Sequence, residues 1–244
     1  MRFTITSEAT GRSIVLRDQR NENEIGAWLL EDGVSGWFGT PAPREDPVSR
    51  LMSDGDYLPD ALTQGSRIVT LHGYAAFDTT IECAAFVDRI NSFMCQRVTV
   101  ICDDAHGRRM ASGYISDDPA PALYSDEVSL RFTLIITCPD PAKYGEPHRF
   151  TPSGGWVMVV NEGNVGTYPI IHVDGRVTRL MLALGDQQVN WVGDADGLDI
   201  DFRDMQPSSG AIVLDNAFAI PPGRSALAVT SDGSVTVTVK SAWR

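Results

Sequence analysis

The side chains in this sequence that could carry chemistry are four histidines, one acidic run and three tryptophans in the second half. His72, His106, His148 and His172 are scattered over both halves. His72 and His172 lie in or beside strand-like runs, where a satisfied structural histidine is the simpler explanation. A Ser–His–Asp site assembles from distant positions, and nothing in the spacing here points to one. No G-x-S-x-G, H-E-x-x-H, P-loop, G-x-G-x-x-G or paired-cysteine motif occurs. Asp194-Ala195-Asp196-Gly197-Leu198-Asp199-Ile200-Asp201 clusters carboxylates of the kind that ligate Ca²⁺. It departs from the EF-hand loop, because Gly197 comes too early and no glutamate closes the ligand set. Alternation explains the run more simply: Leu198, Ile200 and Phe202 point inward while Asp199, Asp201 and Arg203 face water. Glu22, Glu24, Glu31 and Asp32, and likewise Asp103 and Asp104, offer acid pairs that read as solvated turns in the absence of a pocket. Trp156, Trp191 and Trp243 could present faces to sugars, or pack in a core or domain interface. The residues point to no enzyme and no cofactor.

The element best defined by pattern is a helix between two strands. Arg67-Ile68-Val69-Thr70-Leu71 alternates as a strand that Gly73 closes. Thr79 and Glu82 have the spacing of a capping box, the hydroxyl taking an orphan N–H and the carboxylate reaching back. Cys83, Phe86, Val87, Ile90, Phe93 and Met94 then recur at three and four, predicting a helix over about 79–94. Asp88, Arg89, Asn91 and Ser92 form its polar side, and Arg97 to Cys102 forms the next strand. A lone amphipathic helix in a β-rich chain packs its stripe on a sheet, so Phe86, Val87, Ile90 and Phe93 are assigned to that packing.

Before this unit, Phe3–Ile5 and Ser13–Leu16 predict a hairpin, Arg17 to Glu24 a charged arm, and Ile25 to Leu30 a buried strand closed by Glu31-Asp32-Gly33. From Trp37 to Pro59 the chain is long and irregular. Such a segment has a function or belongs to an interface, or else is a surface loop pinned by Trp37 and Tyr57. After the helix, Met110 to Ser116 and Glu127 to Cys138 are strands, and Asp140 to Pro147 breaks the pattern. We place a domain boundary there, giving domains 1–147 and 148–244. The second half predicts short strands and no helix, with hairpin turns at Asp174-Gly175 and Asp232-Gly233. The fold class is mainly β: a sandwich or barrel-like N-terminal domain with one helix, then a C-terminal β-sandwich of jelly-roll type.

The totals bound the function. The chain has 244 residues, 43% hydrophobic and 21% charged, as in a folded soluble protein. Met1-Arg2-Phe3-Thr4-Ile5-Thr6 lacks the apolar core of a signal peptide, and no apolar run approaches the roughly 20 residues that span a bilayer. Folding in a cytoplasm and no membrane partner are expected. Cys83, Cys95, Cys102 and Cys138 form no C-x-x-C pair and read as free, buried thiols. A net charge of −12 opposes a surface that grips nucleic acid, but suits one that lets it pass.

Several short motifs, in order, resemble the distal tail protein family of long-tailed bacteriophages. They are Trp37-Phe38-Gly39-Thr40-Pro41 with Arg44, the Asp54-Gly55 turn, the Arg67-to-Gly73 strand, and Asp140-Pro141-Ala142-Lys143-Tyr144. Val160-Asn161-Glu162-Gly163-Asn164, Tyr168-Pro169 and Ser241-Ala242-Trp243-Arg244 complete the set. The resemblance spans nearly the whole chain. It implies an N-terminal belt that joins copies into a homohexameric ring, and a galectin-like C-terminal sandwich outside it. It also implies a place at the tail tip of a virion, assembled in the host cytoplasm. The partners so implied are the tail tube protein above, a tail-tip or tail-associated hub protein below, and the tape-measure protein and DNA in the channel. Trp37, Phe38, Thr40, Pro41, Arg44 and Tyr57 are then the candidates for ring contacts or for anchoring the long loop. A lectin-like module that binds host carbohydrate is the alternative.

Overall fold

The structure is a computed structural model that describes residues 1–18 and 24–244. Glu22 and most of the predicted charged arm lie outside the described residues. The chain divides into two compact units, Met1–Lys143 and Tyr144–Arg244, where the sequence expectation divides it after Pro147. The architecture is mainly β, with one α-helix among the described residues.

In the first unit, β1 (Arg2–Ser7) and β2 (Ser13–Arg17) pair antiparallel, as alternation predicts. β3 (Gly26–Ser35) follows, then β4 (Val48–Ser49) and β5 (Asp56–Tyr57), then β6 (Arg67–Ala76). After the helix α1 (Thr80–Asn91) come β7 (Arg97–Asp104), β8 (Gly107–Ile115), β9 (Ala122–Leu123) and β10 (Ser129–Cys138). The strand order β8-β7-β1-β2-β3-β6-β10 closes on itself, because β10 also pairs with β8 at Ile136–Ile115 and Thr137–Tyr114. Closure into a barrel covers most of the edges that an open sheet would carry, although β2 and β3 meet at one position only, Arg17 opposite Trp28. Inward positions alternate along each strand, with Phe3 and Ile5, Val69 and Leu71, Val98 and Val100, and Leu134 and Ile136 in one buried cluster.

Two predicted strand ends are not ends. β3 runs on through Glu31-Asp32-Gly33, with a register shift between Leu29 and Val34 and Asp32 at φ 55. The turn-like residues make a bulge, which inserts residues without ending the ladder. β6 likewise continues through Gly73, where the Phe132 ring lies across the space a side chain would fill.

The helix is shorter than predicted. Thr79 caps it, accepting from the Glu82 N–H at 3.2 Å, while its hydroxyl donates to the Glu82 carboxylate at 3.0 Å. It stops at Asn91, where Ser92 turns its hydroxyl onto the Arg89 carbonyl at 2.7 Å and the chain tightens into i→i+3 turns. Cys83, Phe86 and Ile90 are buried from the helix, and Phe93 from the turn after it; Val87 is partly buried. Phe86 meets Phe132 edge-on at 5.6 Å, fixing the helix to β10.

The second unit holds most of β11 (Lys143–Phe150), then β12 (Trp156–Asn161), β13 (Ile170–Leu184) and β14 (Gln187–Asp201). β15 (Gln206–Pro207), β16 (Ala211–Asp215), β17 (Gly223–Ser231) and β18 (Ser234–Trp243) complete it. Asp140 to Pro147 was expected to break the pattern, but β11 runs through Tyr144 to Pro147. Asp174-Gly175 is no hairpin turn: β13 passes through it with register shifts, and the hairpin to β14 turns at Gly185-Asp186 instead. Asp232-Gly233 is no hairpin either, since β17 and β18 pair with different stretches of β13, Leu180–Ala183 and Ile170–Asp174. The Asp232 carboxylate explains the crossing. It accepts from the backbone N–H of Thr178 at 3.0 Å, that of Arg179 at 3.3 Å and the Thr178 hydroxyl at 2.5 Å, filling the bulge in β13. These bonds pull its pKa down to about 2.

Candidate functional site: an anchored arm

The segment between β3 and β6 begins at Gly36, whose φ of 75 and lack of a side chain let it pass the Ile68 carbonyl; a Cβ would sit 1.7 Å from that oxygen. The next residue, Trp37, is 2% exposed, its ring edge-on to Phe3 at 5.4 Å. Trp37 is thus a core residue, and its surface is not offered to another subunit. The backbone around it is held by two buried cations. Arg67, on β6, donates from Nη1 to the carbonyls of Gly36 at 2.6 Å, Trp37 at 3.2 Å and Gly39 at 2.8 Å, and from Nε to Pro141 at 2.8 Å. Lys143 donates from Nζ to the Trp37 carbonyl at 2.8 Å and stands over the Trp37 ring. Burial pushes the Lys143 pKa down to about 8, and the nearby Arg67 and Arg109 charges push the same way. Burial likewise lowers that of Arg67. A cation taken from water needs acceptors, and inward-turned carbonyls supply them.

With three carbonyls turned inward, Phe38 is turned out, exposed. Thr40 and Arg44 are exposed too, and Pro41 is half-buried. Beyond Pro41 the chain leaves as an arm. Its neck is closed by backbone bonds from Arg44 N to Thr63 O at 2.9 Å and from Gly65 N to Ala42 O at 3.0 Å. The Thr63 hydroxyl donates to the Glu45 carboxylate, as does Thr63 N at 2.9 Å, and the two bonds lower the pKa of Glu45. Further out β4 pairs with β5, Val48 opposite Tyr57, and Arg50 stands over the exposed Tyr57 ring at 5.5 Å. So the predicted irregular segment contains a small ribbon. Leu51 is 98% and Met52 99% exposed, and Val48, Leu58 and Leu62 are exposed as well. Clustered apolar side chains in water mark an interaction surface.

The remaining chemical candidates are accounted for singly. Asp103 faces Arg2 at 3.3 Å, Asp104 accepts from the His106 N–H at 2.7 Å, and Glu24 pairs with Arg17. Asp194 binds Arg176 by two bonds of 2.9 Å. Leu198, Ile200 and Phe202 are buried while Asp199 and Arg203 are exposed. His172 lies between Asp199 at 2.7 Å and Asp174 at 3.1 Å, and those bonds raise its pKa. Among the described residues no group of three or more His, Cys, Asp and Glu side chains could hold a metal ion. Cys83, Cys102 and Cys138 are buried free thiols; Cys95 is free but exposed. Trp191 is buried and donates to the Ser209 carbonyl at 2.7 Å, whereas Trp156 stands 57% exposed on β12.

Sequence reasoning missed Arg67 and Lys143 as a pair. Each lies in a motif singled out above, but their convergence on one carbonyl appears only in three dimensions. It also missed Asn161, which is fully buried. Its amide donates to Val165 O at 2.7 Å and Ile220 O at 3.0 Å, and its oxygen accepts from Gly163 N at 3.0 Å and Ala242 N at 3.2 Å. Gly163 must be glycine, since a Cβ would lie 1.7 Å from Ala242 O.

A barrel with one helix and a projecting arm, followed by a second all-β unit, defines the class of chain. No protein-family model and no curated protein sequence matches it. Solved structures do. The Dit protein of phage SPP1, described as a paradigm of the hub adsorption apparatus in phages infecting Gram-positive bacteria, matches with a TM-score of 0.69 at 16% identity. That match covers 99% of each chain. Chains of the phage p2 baseplate in its activated conformation match with TM-scores of 0.54 (with Ca, 9% identity) and 0.55 (with Sr, 10% identity). The former covers 99% of this chain and 98% of that one, the latter 99% of each. The fold is therefore that of the distal tail (Dit) proteins.

Proposed function

We propose that this chain is a structural, non-enzymatic virion component: a distal tail protein whose N-terminal unit builds a homohexameric ring at the tail tip. The observation that carries this is the likeness to the SPP1 Dit hub protein along the full length of both chains. The ring joins the tail tube on one face to a tail-tip or tail-associated hub protein on the other. The tape-measure protein and then DNA pass through its channel. With −12 per copy, the lumen is acidic and repels phosphates rather than holding them. The second unit is a galectin-like sandwich outside the ring, and assembly takes place in the host cytoplasm.

Light scattering over a concentration series, followed by negative-stain imaging, tests this. The expected species has six times the 26.6 kDa chain mass and a central hole. A chain that stays monomeric even with its tube and hub proteins, or a ring with a basic lumen, overturns it. The exposed face of Trp156 favours a second reading, a carbohydrate-binding module in the host-recognition apparatus. A glycan array on wild type and Trp156→Ala separates the two.

A further inference from the structure

The two cations beneath the arm are not fully partnered. Arg67 is 1% and Lys143 2% exposed, yet neither is in an ion pair among the described residues. Arg67 commits Nε and Nη1 to four carbonyls, while its Nη2 is buried with no hydrogen-bond partner. Lys143 has three N–H donors and one acceptor, the Trp37 carbonyl, which it shares with Arg67. Two like charges thus meet at one oxygen, and the Arg109 charge acts on Lys143 as well. Carbonyls satisfy donors but carry no net charge. The nearby thiols supply none either, since Cys102 titrates only at about 12 and Cys138 at about 11. Asp140 acts on Arg67, and Asp104 on Lys143, only from beyond ion-pair range.

A buried donor without an acceptor is rare and points to a bound water or ion. Net positive charge out of water selects an ion, and makes it an anion. We propose that a halide ion, chloride under physiological conditions, is held by Arg67 and Lys143 at the base of the arm. The ion accepts from Arg67 Nη2 and from the Lys143 hydrogens that the Trp37 carbonyl leaves, which completes both donors and offsets their mutual repulsion. Enclosure favours a monatomic ion over an oxyanion, because almost none of either cation's surface meets water. The site still lies close to solvent, since Gly36 and Gly39, which give Arg67 two of its acceptors, are exposed. The ion binds the folded chain alone and so stabilises the N-terminal unit by mass action. Without it the two charges bear the full cost of burial. The site is independent of the ring and of any glycan surface.

Urea unfolding of the full chain at pH 7, in sodium chloride and in sodium gluconate of equal ionic strength, reads this linkage. Hydrogen exchange of β1 and β6 amides follows the N-terminal unit by itself. With a dissociation constant of about 10 mM, ~100 mM chloride lowers the unfolding equilibrium constant about tenfold. Lys143→Met removes half of the site and should show no such difference between the salts. Bromide soaked into wild-type crystals should give an anomalous peak within hydrogen-bond distance of Arg67 Nη2 and Lys143 Nζ, a measurement that decides even if the variant does not fold. A chloride effect that Lys143→Met retains overturns the site. So does a peak there without anomalous signal, which marks a water. A bromide peak with equal wild-type stability in the two salts is an adventitious ion only, and overturns it too.

Discussion

Lys143→Met should make the N-terminal unit more stable at neutral pH, although it removes a hydrogen bond. Lys143 is 2% exposed and its pKa is down to about 8 from 10.5, because burial and then the Arg67 and Arg109 charges disfavour its charged form. Below pH 8 the folded and unfolded chains both hold this proton. Between 8 and 10.5 only the unfolded chain does, so stability rises with pH across that window. At ~1.4 kcal/mol per pH unit, the buried charge holds stability down by about 3 kcal/mol at pH 7. Methionine fills a similar volume without charge. The bond it loses, to the Trp37 carbonyl, is worth ~1 kcal/mol, and Arg67 still serves that oxygen at 3.2 Å. The variant should therefore be more stable by about 1–2 kcal/mol at pH 7, and the gap should narrow by ~1 kcal/mol by pH 9. The buried thiols act in the opposite sense: Cys102 is raised to about 12 and Cys138 to about 11, so both draw stability down above pH 9. They are common to both chains and largely cancel in the difference. The assay is urea unfolding at pH 7, 8 and 9 in reducing buffer. Pulsed hydrogen exchange of β1 and β6 amides follows this unit by itself. A variant less stable than wild type at pH 7, by an amount constant to pH 9, refutes the reasoning.

Trp37→Ala removes a buried ring and should destabilise the N-terminal unit by ~3–5 kcal/mol, read by the same exchange assay. Because Trp37 is core, its loss does not test subunit contact. Asn161→Ala takes a partner from two backbone N–H groups and from the Val165 carbonyl, while the Ile220 carbonyl keeps Thr167 N, and should cost the second unit ~2–4 kcal/mol in urea unfolding. His172 should titrate above the ordinary histidine range by NMR, and Asp199→Asn should bring it back down. Its raised folded pKa means that the contribution is complete below pH 6.5 and fades as pH climbs through the folded value.

What the sequence made legible was periodicity. Alternation placed β1, β2, β7 and β10, and the three-and-four spacing of Cys83, Phe86 and Ile90 placed the helix face. Punctuation was read less well. Asp174-Gly175, Glu31-Asp32-Gly33 and Gly73 have turn chemistry, yet each sits inside a strand, as a bulge or where a ring passes close. Local composition is the same for a turn and a bulge; the partner strand decides between them. The helix ends at Asn91, short of the apolar stripe, for a related reason, since Phe93 and Met94 extend the stripe whether a helix or a tight turn delivers them.

The motifs that carried the family resemblance are weak one by one, and the structure shows why an ordered set still has meaning. Most of them gather at two hydrogen-bond hubs. In the first, Arg67 and Lys143 join the carbonyls of Gly36, Trp37, Gly39 and Pro141, uniting the Trp37-to-Pro41 segment, the β6 strand and Asp140-to-Tyr144. In the second, Asn161 and Gly163 engage Ala242, Glu162 N donates to the Ser241 hydroxyl at 2.9 Å, and Arg244 N donates to the Asn164 side chain at 2.8 Å. That hub ties Val160-to-Asn164 to Ser241-to-Arg244. Each hub needs a few side chains at fixed places and leaves the strands between free to vary, provided their alternation persists. A chain can therefore keep this fold while sharing 16% of its residues with the SPP1 protein. The first hub also holds the base of the arm, so the residues that specify the fold there are the ones that aim its exposed apolar side chains, Leu51 and Met52 among them.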